Sequence, residues 1–270
     1  MPLHDHLQMH GFVKVIRGSV SVTSRLFANM ECIERQTLKA ILKDASLLSH
    51  KLSLLSSGRV TASASSSDES DIISGLSRVV NSISQNTLAI KLPDDVMLAY
   101  MTAPIFYADI YEDHIMHACL FGFRRKGGVM PLHDHSQMHG FVKVIRGSVS
   151  VTSYSWLSAE EEELEMKRAV IRAFRGRPVR CEGTVTRSSD DDCIHLGPRL
   201  GNLHSMVALD AGTTFFDLLV PGYGKRPCAF FEARQSDPRQ SSSGICFVRE
   251  IPMPRSYVCD TIPYNQIMHL

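Results

Sequence analysis

The 270-residue chain has one tryptophan, no CxxC pair, no charge excess of either sign and no long apolar run. Each lack removes a class of function. Seven cysteines (Cys32, Cys119, Cys181, Cys193, Cys228, Cys246, Cys259) are an odd number, which argues against a disulfide framework and against a zinc ribbon. The expected compartment is therefore reducing, cytoplasmic or nuclear. Lys plus Arg number 29 against 28 Asp plus Glu, so there is no basic surplus to displace counterions from nucleic acid. No stretch approaches the roughly 18 apolar residues of a membrane span. The first 20 residues carry three histidines and an Asp where a secretory signal would place an apolar core. Neither a nucleic acid nor a membrane is expected as a partner. Hydrophobic residues at 44% and charged ones at 21% are ordinary for a globular chain. The length suits one large domain, or a medium one with extensions.

What the chain does contain is a duplication. MPLHDHLQMHGFVKVIRGSVSVTS at residues 1–24 recurs as MPLHDHSQMHGFVKVIRGSVSVTS at 130–153, identical at 23 of 24 positions, with Leu7 against Ser136 the exception. A single recurrence is neither a solenoid nor a propeller. After the first copy, Leu38, Ile41, Leu42, Ala45, Leu48, Leu52 and Leu55 recur at three- and four-residue steps, which predicts an amphipathic helix. Residues 56–70 hold seven serines and read as a flexible linker, followed by a weaker helix from Asp71.

The texture changes near residue 90. Short apolar runs such as APIFYADIYED, HACLFGFRR, GFVKVIRGSVSV and TTFFDLLVP alternate with Gly, Pro and Asp. Several follow the period-two pattern of strands with one buried face, so a compact antiparallel jelly roll or barrel is expected. SAEEEELEMKRAVIRAF interrupts it as a short, solvated surface helix. The expected organisation is 1–29 as a partial duplicate, 30–90 as a helical and Ser-rich extension, and 91–270 as the β domain.

His133 and His135 are two residues apart where a strand is expected, so their side chains project to the same face, about 6–7 Å apart. Two imidazoles so placed can converge on a metal, but a lone HxH is weak evidence. A third ligand is needed, and His139, His195, His204 and His269 are the downstream candidates. His204 in GNLHSMVALD follows a turn signal and opens a strand-like run, which suits a far strand folding back beside the first. His139, beyond a bend, reads as core or as a support for the site, and His195 as structural.

At this point MPLHDHSQMHGFVKVIRGSVSV, then DCIHLGPRLGNLHSMVALDAGTTFFDLLVPGYG, then PCAFFEA resemble the thiol dioxygenases that include cysteamine (2-aminoethanethiol) dioxygenase and the plant cysteine oxidases. The resemblance spans roughly residues 95–235 and continues weakly through REIPMP and TIPY. It implies a mainly β cupin, a double-stranded β-helix, behind an N-terminal helical extension. It also implies non-haem Fe(II) on His133, His135 and His204, with no carboxylate ligand. Three neutral imidazoles leave the cation its full charge, and a thiolate substrate supplies the balance and is favoured by it. The implied reaction adds both atoms of O2 to sulfur, giving a sulfinic acid. Asp217 matches the family acid expected beside the substrate's amino group, and Tyr223 the aromatic of the same pocket. Asp134 should face away and brace a loop. Animal relatives carry a tyrosine two residues after the cysteine that matches Cys228, able to form a Cys–Tyr crosslink. Here Phe230 stands there, so that crosslink cannot form.

The expected partners are O2 and either a small aminothiol or a Cys-initiated protein N-terminus, the latter making the enzyme an oxygen sensor; a monomer is expected. The first copy offers His4 and His6 with no GNLH counterpart, so it is expected to be non-catalytic, with the native chain starting near Met30. The competing class is an inactive cupin that binds metal or senses a ligand. A zinc hydrolase is a third, for which no HExxH occurs.

Overall fold

A computed structural model describes residues 26–56, 66–88, 90–170, 176–224, 228–234 and 244–264. The chain opens with α1 (Leu26–Ser56) and α2 (Ser66–Asn81), then the short α3 (Asp95–Tyr100). The β domain follows with β1 (Ile105–Glu112), β2 (His117–Phe123), β3 (Val129–His133), β4 (His139–Arg146) and β5 (Ser148–Trp156). After α4 (Ala159–Val170) come β6 (Arg177–Ser188), β7 (Ile194–Leu196), β8 (Leu203–Ala208), β9 (Thr214–Val220), β10 (Phe230–Arg234), β11 (Ile245–Ile251) and β12 (Cys259–Thr261). Among the described residues no helix is long and apolar enough to cross a membrane.

Two six-stranded sheets build the β domain: β12-β1-β2-β9-β4-β7, and β10-β11-β6-β5-β8-β3, the second closing on itself. Phe121, Phe123, Val142, Val144 and Phe215 of the first sheet meet Val149, Val151 and Met206 of the second in one inner core. The outer face of the first sheet is covered too. Leu38, Leu42, Ala45 and Leu52 of α1, with Leu76 and Val80 of α2, pack on Phe106, Phe141, Phe216 and Leu218. The three- and four-residue spacing read from α1 is thus the stripe that binds the sheet.

The expected alternation holds in β1, β5 and β8, whereas β2 and β9 are buried at every position, and β4 at all but its last. The helices supply the second apolar layer, and strands between two layers read as continuous apolar runs. The serine-rich 56–70 is also not all linker, because α2 begins at Ser66. Asp68 and Glu69 fall in its first turn, where a carboxylate complements the helix dipole; residues 57–65 lie outside the described set. The acidic surface helix forms as α4, with a reciprocal cap between Ser158 and Glu161 (3.0 and 3.2 Å). Arg177 of β6 pairs with Glu162 through two bonds of 2.9 and 3.0 Å and lies over the Trp156 ring, which ties the helix to the barrel.

Candidate metal centre

β3 and β8 pair antiparallel, and His133 lies directly opposite His204. The ring centroids are 4.3 Å apart. His135, just past the end of β3, brings its ring to 4.9 Å from His133 and 5.2 Å from His204. All three are buried, and one nitrogen of each lies within 4.8 Å of the others. A single ion can therefore touch all three.

The other nitrogen of each ring is fixed. His133 Nδ1 is 2.8 Å from the Pro131 carbonyl and His204 Nδ1 is 3.0 Å from the Asn202 carbonyl. A carbonyl only accepts, so each Nδ1 carries the proton and each Nε2 keeps its lone pair. His135 Nδ1 lies 2.9 Å from the Tyr223 hydroxyl. Its Nε2 is buried with no hydrogen-bond partner among the described residues, the state expected of a ligand atom awaiting a cation. Burial lowers the pKa of all three rings, His135 well below the usual value and His204 to about 3, and mutual repulsion lowers His135 and His204 further. They are neutral at pH 7, the form that binds metal.

Asn202 joins two of these rings. Fully buried, it donates from Nδ2 to the His135 carbonyl (2.9 Å), and its Oδ1 accepts from the His135 amide (3.2 Å). Its own carbonyl meanwhile holds His204. Asp134, between the two histidines, makes no contact with the centre. Its carboxylate accepts from the Ala229 amide (3.0 Å), while its amide donates to the Ala229 carbonyl (3.1 Å). That brace sets Phe230 opposite His133. Phe230 offers no phenol, so the position two residues after Cys228 contributes only a ring face, 6.3 Å from the His133 ring.

A cavity of about 20 Å³, room for roughly one water-sized occupant, opens at the three rings and is lined also by Phe121, Met130, Met206, Phe215, Asp217, Tyr223, Cys228 and Tyr257. A larger one, about 430 Å³, lies elsewhere, between Asn81–Asn86 and Ser189–Asp192. It touches none of the three rings. Asp217, on β9, is buried with Oδ1 unpartnered among the described residues. Desolvation raises its pKa to about 7, offset in part by His117. Tyr223 follows Gly222, where a Cβ would collide with the Asp113 carbonyl oxygen; only glycine lets the chain turn there. Burial raises the Cys228 thiol to about 12, although Tyr223 donates to it.

The remaining sequence candidates separate cleanly. His139 and His195 bond each other (3.1 Å) on the outer side of β4 and β7, away from the triad. His4, His6 and His269 lie outside the described residues. Asn202 and His117 were missed by sequence reasoning. Asn202 stood in the GNLH segment, whereas nothing local marked His117.

A family model described as PCO_ADO matches residues 79–266. Human 2-aminoethanethiol dioxygenase is 28% identical over 183 residues, 60% of this chain and 67% of that protein. Plant cysteine oxidase 2 of Arabidopsis thaliana is 24% identical over 131 residues, 47% of this chain and 44% of that one. Among solved structures, a protein from Klebsiella pneumoniae with a double-stranded β-helix domain is 13% identical. The match covers 46% of this chain and 81% of that one, with a TM-score of 0.31. With 188 residues inside the family match, the chain belongs to the PCO_ADO family of dioxygenases.

Proposed function

We propose that the chain is an Fe(II)-dependent thiol dioxygenase that adds both atoms of O2 to the sulfur of cysteamine, or of a protein's N-terminal cysteine, to give a sulfinic acid. The observation that carries this reading is the buried trio of neutral imidazoles, each held through Nδ1, with no carboxylate among them. His133, His135 and His204 would hold the ion. What ferrous iron supplies when bound is a dication that favours the thiolate and a redox centre for O2, neither of which the side chains provide.

The protein's own part is placement. Asp217 accepts the substrate's ammonium, and the ammonium in turn favours the ionised carboxylate against the burial that raises it. Tyr223 holds the His135 ring in the orientation that turns Nε2 inward. Met130, Met206, Phe121 and Phe215 keep bulk water out of the cavity. Residues 1–29, with His4 and His6, are read as a non-catalytic copy, because they bring no counterpart of Asn202 and His204.

The test is oxygen uptake by iron-loaded protein given cysteamine or a Cys-initiated peptide. Uptake with a mass gain of two oxygens on the thiol supports the reading. No uptake with either thiol sinks it and favours an inert metal-binding cupin. The ratio of kcat/KM for the two thiols assigns the substrate class.

A further inference from the structure

Two buried acceptors face the cavity side of the sheet without partners. Asp217 Oδ1 is one and His117 Nδ1 the other, and both residues are 4% exposed. Neither atom has a hydrogen-bond partner among the described residues. In the register of β1, β2 and β9, Cys119 lies opposite Asp109 on one side and Asp217 on the other. His117 is two residues before Cys119, hence on the same face and diagonal to both acids. Its ring meets the Tyr223 ring edge-on at 5.7 Å, which brings it up behind the cavity wall.

The protonation of His117 follows from its outer neighbours. Nε2 lies 3.4 Å from the Asp109 carboxylate and 3.2 Å from the Tyr107 hydroxyl. A lone pair on Nε2 would face that carboxylate, so we assign the proton of the neutral ring to Nε2, which leaves the lone pair on Nδ1. A buried acceptor left without a donor is costly. An ammonium carries three N–H donors, enough for both orphans.

We infer that His117 and Asp217 together form a two-acceptor seat for a primary ammonium, with Asp109 and Tyr107 fixing the His117 tautomer. His117 is then a specificity-determining residue that sorts amine-bearing thiols from amine-free ones. This rests on the reading above, in which the substrate is an aminothiol or an N-terminal cysteine. The charge comes from Asp217 and the second hydrogen bond from His117. A thiol lacking the amine leaves both acceptors unpaired, and such a site rejects the analogue strongly.

The experiment is anaerobic calorimetry on the iron-loaded full chain, titrated with cysteamine and with 2-mercaptoethanol. Wild type should bind cysteamine at least about tenfold more tightly. His117→Phe should weaken cysteamine about tenfold and leave 2-mercaptoethanol unchanged. His117→Asn, whose amide oxygen can stand where Nδ1 stood, should restore most of the preference. Unchanged cysteamine affinity in His117→Phe, equal weakening of both thiols, or no rescue by asparagine would overturn the seat. Oxygen uptake on the same samples separates the two claims. Amine preference without uptake sinks the dioxygenase reading alone, and uptake without amine preference sinks the seat alone.

Discussion

Two clusters of histidine, one wholly buried and one with His195 half-buried, lie on opposite sides of one sheet, and they differ in what their nitrogens do. His139 and His195 stack nearly parallel at 5.4 Å, bond each other at 3.1 Å, and lean on Phe141 and Glu69. Burial lowers both to about 4, with repulsion from His139 adding to the effect at His195. His133, His135 and His204 are depressed by the same cause. Depressed pKa therefore does not distinguish the trio from the pair. The mark is direction. In the pair, one ring nitrogen satisfies the next ring; in the trio, backbone carbonyls and Tyr223 hold the outer nitrogens, and the inner ones converge.

Removing one ring breaks that contrast most sharply. His204→Ala should lower metal affinity by more than about 100-fold, as read by anaerobic metal titration, whereas His195→Ala should leave it unchanged. Equal losses would mean that the two clusters are not different in kind. Tyr223→Phe is expected to cost about tenfold in metal affinity, because His135 keeps its place but loses the partner that orients it. The pair has its own signature in stability. Unfolded histidines take up protons near pH 6.5, while His139 and His195 resist until about pH 4. The unfolded chain then binds more protons, so stability is full above pH 6.5 and falls as pH drops towards 4. Each ring should account for about 1 kcal/mol of that loss at pH 5.5, measured by urea unfolding. His4→Ala should change neither metal content nor oxygen uptake; a dead variant would overturn the reading of residues 1–29.

Much of the fold was legible because apolar spacing reports burial directly. The helical stripe of α1 and the alternating runs after residue 90 lead to helices and strands in the right places. β1, β5 and β8 do alternate in burial, whereas β2, β4 and β9 are covered on both faces, since one-dimensional pattern does not say what covers a strand's second face. HDH and GNLH were visible as segments, and family resemblance joined them. What joins them physically is the β3–β8 register, a contact across 71 residues that no local pattern encodes. His117 was invisible for the same reason: its chemistry arises from Asp109, Tyr107 and Asp217 on neighbouring strands.

The most direct measurement is an iron anomalous difference map from a crystal grown anaerobically with Fe(II). A single peak about 2.1 Å from the Nε2 atoms of His133, His135 and His204 is the expected result. No peak at those rings, or a peak held by His139 and His195 instead, would contradict the account.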